Sequence, residues 1–181
     1  MLTNQRSLFA LPDGLHYLDC ASRSPYPLAT TRAGKAAVER MLVPASKTPD
    51  DYFAKSEAFR NNVAKLVGCS ADQVAIAPAV SYGIGVAAHN WALRPGRTVV
   101  VPEEEFPSDV YAWIAACERT GASMVTVERP AQGQGLAARW SQAMIDAIDD
   151  RTAVVSLSTV LWADGTAFDL AAIARKAREV D

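Results

Sequence analysis

The sequence predicts an α/β fold, a mostly parallel sheet with helices on both faces. Three observations carry this. Short apolar runs such as Thr98–Val101 (TVVV) are rich in β-branched residues, as buried strands are. Each run is followed by a stretch with helical spacing. The connections between successive runs are long enough to be crossovers, which parallel strands require.

The elements follow in order. The stretch to Pro27 is rich in turn formers and has one short apolar piece, Leu15–Leu18. Pro25 and Pro27 stop any element and open a helix over Ala29–Leu42. Pro44–Pro49 reads as a linker. Asp50 or Asp51 caps a second helix with Phe59, Val63, Leu66 and Val67 at helical spacing, ended by Gly68. Val74–Ala77 is a predicted strand and Ser81–Leu93 a helix that ends before Pro95-Gly96. Then come strand Thr98–Val101, helix Pro107–Arg119 with Gly121 after it, and strand Met124–Val127. Ala131–Gly135 is a loop. Helix Ala138–Ile148, strand Ala153–Leu157 and helix Leu170–Val180, capped by Asp169, complete the series. Two regions are expected: an irregular segment plus helix over 1–49, and an α/β domain over 50–181.

Composition narrows the function classes. Half of the 181 residues are hydrophobic and 21% are charged, an ordinary globular balance. A chain this long buries roughly 70% of its unfolded surface in a single domain. Eighteen basic residues against 20 acidic ones give a formal charge of −2, with no basic excess to neutralise phosphates, so nucleic acid is not an expected partner. No stretch approaches the roughly 20 apolar residues of a membrane span. The N-terminal apolar run, Leu8–Leu11, is too short for a secretory signal, which points to a cytoplasmic protein. Cys20, Cys69 and Cys117 include no CxxC pair, and with only His16 and His89 no metal centre is expected.

In open α/β sheets ligands sit beyond the carboxyl ends of the strands. Three loops therefore matter. In 75–85 (AIAPAVSYGIG) a strand runs through a small-residue turn into a helix. The free N–H groups at Val80–Gly83 and the Ser81 hydroxyl suit a phosphate, though Ser81 as a plain helix cap is the stronger reading of that loop alone. It is not a Walker loop, because no GK[ST] follows. In 101–113 (VPEEEFPSDVYAW) Phe106 projects where a planar cofactor can stack. A core or hydrophobic-staple role is an equal alternative. Asp109 is either a first-turn dipole partner or a polar cofactor contact. Glu103–Glu105 read best as a solvated run. In 156–170, Trp162 lines a pocket or covers the sheet edge, and Asp164-Gly165 is a turn. No Ser-His-Asp or Cys-His arrangement is present.

Taken together, these segments resemble the N-terminal part of class V aminotransferase-fold enzymes that depend on pyridoxal 5'-phosphate (PLP), a group that includes kynureninases, isopenicillin-N-epimerase-like proteins and cysteine desulfurases. YLDCASRSPYP (17–27) is similar to the family's segment bordering the substrate pocket. APAVSYGIGVAAHN (77–90) resembles its phosphate-cup turn and helix, with Val80 and Ser81 at the phosphate-holding positions. EEEFPSD (103–109) is similar to the kynureninase-type NFPTD loop, with Phe106 at the ring-stacking position and Asp109 at a further cofactor-contacting one. SLSTVLWADGTAFDLAAIARKARE (156–179) resembles a later strand–loop–helix of the family.

The resemblance implies the large domain of a fold-type I PLP-dependent transferase, an amino-acid substrate and a homodimer. Transaminase, lyase and epimerase chemistry all remain open. Phe106 replaces the stacking histidine of desulfurases, and Thr159 and Trp162 also depart from their pattern. In the family an aspartate that pairs with the pyridinium nitrogen and the Schiff-base lysine follow on later elements. None of Lys35, Lys47, Lys55, Lys65 and Lys176 is assigned that role, so no catalytic residue is expected here. The implied object is a truncated domain, inactive and marginally stable alone. A non-catalytic α/β module for another phosphate ligand, or a purely structural fragment, is the alternative.

Overall fold

The computed structural model describes residues 3–180 and divides into two compact units, Met1–Ile76 and Ala77–Asp181.

The first unit carries two helices, α1 (Leu28–Glu39) and α2 (Ala54–Val67). A single-turn 3-10 helix, Arg40–Leu42, continues α1, so the helix expected to Leu42 tightens in its last turn. Asp51 does not cap α2 directly. It forms a capping box with Thr48 at the 3-10 turn Pro49–Tyr52, one step earlier. Gly68 ends α2 in the left-handed conformation at φ 75°, as its position suggested. Little of this unit is buried: Leu18, Val38, Leu42, Leu66 and Val67 are all exposed.

The predicted strand Val74–Ala77 does not form. The Val74 N–H bonds to the Ala71 carbonyl, and the Val74 carbonyl accepts from Arg60 Nε at 2.8 Å, so the backbone there is spoken for locally. Pro78 next to it has no N–H to offer a ladder.

The second unit contains α3 (Val80–Asn90), β1 (Thr98–Pro102), α4 (Pro107–Thr120), β2 (Ser123–Val127), α5 (Leu136–Asp146), β3 (Thr152–Val155) and α6 (Leu170–Glu179). Its three strands form a parallel sheet in the order β2-β1-β3. β1 is central and buried at every position, which explains its unbroken apolar run.

The two-residue period of β1 sorts the core into two layers. Val99 and Val101 pack with Ala88 and Leu93 from α3 and its C-terminal flank and with Trp113, Ala116 and Cys117 of α4. Val100 packs on the other face with Trp140 and Met144 of α5, Ile173 of α6, and Leu161 and Phe168 of the loop between β3 and α6. The sheet is thus covered on both faces, as expected. The Arg119 guanidinium donates to the Ala88 carbonyl at 3.2 Å. The C-terminal ends of α3 and α4 therefore meet, and their N-termini lie toward the same end of the unit. Among the described residues no helix is long and apolar enough to cross a membrane.

Candidate functional site

All four candidate residues, Val80, Ser81, Phe106 and Asp109, lie in the second unit, in the first turns of α3 and α4. α3 begins at Val80, with Ala79 as its N-cap. Ser81 is therefore inside the helix, and the expectation of a plain serine cap fails. The alanine side chain has no acceptor to offer, and no side-chain hydrogen bond caps this end. The first N–H groups of a helix have no intrahelical partner. Here they sit beside an exposed Val80 and an exposed Ser81 hydroxyl. An anion is the natural partner for such a terminus.

Phe106 is the N-cap residue of α4, with Pro107 at the first helical position. Its ring is 45% exposed, so it belongs to neither hydrophobic cluster. The core alternative is excluded. The ring meets Trp162 edge-to-face, with centroids 5.6 Å apart and planes at 90°. Trp162 is itself held, because its indole N–H donates to the Glu104 carbonyl at 2.8 Å.

Asp109 is buried one turn into α4. Its Oδ1 accepts from Ser156 Oγ at 2.8 Å and from Trp113 Nε1 at 3.1 Å. The same indole N–H also reaches Ser156 Oγ at 2.9 Å. Burial pushes the Asp109 carboxyl above the usual carboxylate range, and the nearby Glu105 charge adds to that. The Ser156 and Trp113 hydrogen bonds act in the opposite direction.

The three consecutive acids do not form a solvated run. Glu103 and Glu104 are exposed but engaged. Glu103 accepts from the Arg129 backbone N–H at 2.7 Å, and Glu104 pairs with the Arg129 guanidinium at 2.9 Å. Glu105 is 6% exposed. Its carboxylate accepts from Phe106 N–H at 2.7 Å, Ser158 N–H at 2.6 Å and Ser158 Oγ at 2.6 Å. Glu104 adopts a left-handed backbone at φ 60°, rare for a residue with a Cβ. Only the acidic character of the triplet is visible in the sequence. The burial of Glu105 depends on Ser158, 53 residues away.

Arg129 ties the rim together from a third loop. It bonds Glu104, pairs with Asp164 and lies over the Trp140 ring, 5.6 Å from its centroid. The Asp164 carboxyl is held low chiefly by the Thr166 backbone N–H, with Arg129 adding to it. The Asp164-Gly165 turn forms as expected, with Gly165 at φ 78°.

Together these features make a surface that can grip an anion at α3 and offer an aromatic ring and a buried carboxylate at α4. Among the described residues no cluster of histidine, cysteine or acidic side chains is arranged for a metal ion. A groove of about 630 Å³ lies along α1 between Tyr26 and Val38 and involves none of the candidate residues.

Comparison with known proteins places this geometry in context. The family model described as aminotransferase class-V matches residues 16–181. A probable cysteine desulfurase of Methanothermobacter thermautotrophicus is 28% identical over 176 residues, covering 91% of this chain and 41% of that relative. A cysteine desulfurase of Salmonella newport is 27% identical over 186 residues, covering 95% and 44%. Among solved structures, a mutant of C-DES with glycine covalently linked to its PLP cofactor superposes with a TM-score of 0.83 at 17% identity, covering 98% of this chain and 46% of that one. The cysteine desulfurase CsdA from Escherichia coli gives 0.80 at 22%, covering 97% and 45%. The fold expected from the sequence is thus the fold of these structures. The chain spans less than half the length of each of these proteins.

Proposed function

This chain belongs to the aminotransferase class-V family, and on that premise we propose that it supplies the phosphate- and ring-holding residues of a PLP site in an enzyme acting on an amino-acid substrate. The observation that carries the proposal is the pairing of two features at one end of the second unit. One is the helix terminus at Ala79–Ser81 with no side-chain cap; the other is the exposed, braced Phe106 ring at the start of α4.

The residues present fit the group. The N–H groups at Val80 and Ser81, the Ser81 hydroxyl and the α3 dipole would hold its phosphate. Phe106 would cover one face of the planar ring, and Asp109 would add a polar contact. When bound, PLP supplies an electron sink for a carbanion at the substrate α-carbon. The protein's part is to orient and to exclude water. Phe106 and Trp162 shield one side with apolar surface. Asp109, with its affinity for a proton raised by burial, is suited to hold a hydrogen bond in a partly dry setting.

No lysine of this chain is proposed as the Schiff-base residue. Lys35, Lys47, Lys55 and Lys65 lie in the first unit, and Lys176 on α6 pairs loosely with Glu179 at 3.8 Å. A homodimer and a cytoplasmic location are part of the same proposal. The exposed apolar residues of the first unit, Val38, Leu42, Leu66 and Val67 among them, support association.

The test is a calorimetric titration with pyridoxine 5'-phosphate, which keeps the phosphate and ring but cannot condense with surface lysines. Saturable binding that weakens in Ser81→Ala and in Phe106→Ala supports the proposal. Tighter binding of a mononucleotide, or no binding, overturns it and favours a different phosphate module or a structural role.

A further inference from the structure

Glu105 is the buried acid closest in sequence to the ring-bearing Phe106, and its carboxylate has three short hydrogen bonds. The donors come from two different loops. Phe106 N–H belongs to the loop after β1, while Ser158 N–H and Oγ belong to the loop after β3. A buried carboxylate is tolerated only when its oxygens are satisfied, and these are. We propose that Glu105 is a positioning residue: it fixes the Phe106 ring over the cofactor by clamping the loop after β1 to the loop after β3. This rests on the PLP reading above and extends it to a residue that does not itself touch the group.

The surrounding geometry is consistent in each detail. The Phe106 N–H is held directly by the Glu105 carboxylate, so the backbone that carries the ring cannot rotate without breaking a charge-assisted bond. The ring meets Trp162 edge-to-face, and Trp162 lies on the same β3 loop as Ser158. Trp162 closes a second link by donating to the Glu104 carbonyl. Ring, indole, carboxylate and serine thus form one closed circuit across the two loops. Glu104, between these contacts, holds a left-handed backbone at φ 60°, and such backbone strain persists where its surroundings enforce it.

Glu105→Gln keeps the shape but replaces an acceptor oxygen with an NH2 that faces donors. The titration probe is again pyridoxine 5'-phosphate. The substitution is expected to weaken binding about tenfold in the otherwise unchanged chain. In a Phe106→Ala background the same change should weaken it less than about twofold, because Glu105 then has no ring to position. Equal losses in both backgrounds, or no loss in the first, overturn the positioning role. Failure of the unsubstituted chain to bind overturns the PLP reading itself, a distinguishable outcome. A second measurement needs no ligand. Hydrogen exchange at the Phe106 and Ser158 amides should speed up in Glu105→Gln, and again in Ser158→Ala, while the amides of Trp113–Cys117 stay protected. Equal acceleration throughout α4 would show that Glu105 merely holds the domain together, and would also overturn the proposal.

Discussion

Ser156 at the end of β3 donates its hydroxyl to the Asp109 carboxylate on α4 at 2.8 Å, and the Trp113 indole N–H reaches both partners. This triad, with Asp109 and Trp113 buried and Ser156 half-buried, joins a helix to a strand end. Its charge is only partly compensated, which has a consequence for stability. Burial raises the Asp109 carboxyl above its value in the unfolded chain. The folded state therefore binds this proton more tightly. Asp109 favours folding below its unfolded value of 3.8, and that contribution is lost as pH rises through the folded value. Asp109→Asn retains an acceptor for Ser156 and Trp113 but cannot ionise. Urea unfolding at pH 4 and pH 7 should show the variant gaining stability relative to the parent as pH rises. A constant difference would contradict this.

The α5 side of the core rests on Trp140. It is fully buried, donates to the Val127 carbonyl at 3.2 Å, meets Phe168 at 5.4 Å and lies under Arg129. Trp140→Ala should cost about 3–5 kcal/mol, since a large cavity replaces the ring and the Val127 carbonyl loses its side-chain donor. Denaturant unfolding, or failure of the variant to fold, checks this. A loss below about 1 kcal/mol would mean the layer is not packed as described.

Asp169 caps α6: its carboxylate accepts from Ala172 N–H at 2.9 Å, while its own N–H donates to Ser141 Oγ at 3.0 Å. Asp169→Ala should lower stability by about 1 kcal/mol and fray the first turn of α6. Asp169→Ser should recover most of it. Circular dichroism with urea titration distinguishes the two.

Arg129 links three loops at the rim. Arg129→Met preserves much of the apolar stem over Trp140 but frees Glu104 and Asp164. Global stability should change by about 1 kcal/mol or less. Limited proteolysis should nevertheless cut faster within 162–166, because that turn loses its tie to the neighbouring loops. An unchanged cleavage rate would argue that Arg129 is not what holds it.

Much of this was legible in the sequence where the cause is local. Pro107 at the start of α4, Gly68 and Gly121 at helix ends and Asp169 as a cap act within a few residues, and all appear where expected. The β1 run announced a fully buried strand because its β-branched residues leave no polar face. What failed turned on contacts that the residue pattern does not display. Val74–Ala77 resembles a strand, yet Arg60 and Ala71 occupy the Val74 backbone groups. Glu103–Glu105 look like a solvated run, yet Ser158 and Arg129 draw all three into contacts. Ser81 has the chemistry of a cap, yet the helix begins one residue before it. In that instance the local rule failed, and the terminus was left open to a ligand.

The most direct test is a crystal of the chain soaked with pyridoxine 5'-phosphate. The account predicts its phosphate on the N–H groups of Val80 and Ser81 and its ring lying flat against Phe106. Density for the compound elsewhere, with that helix terminus bare, would contradict it.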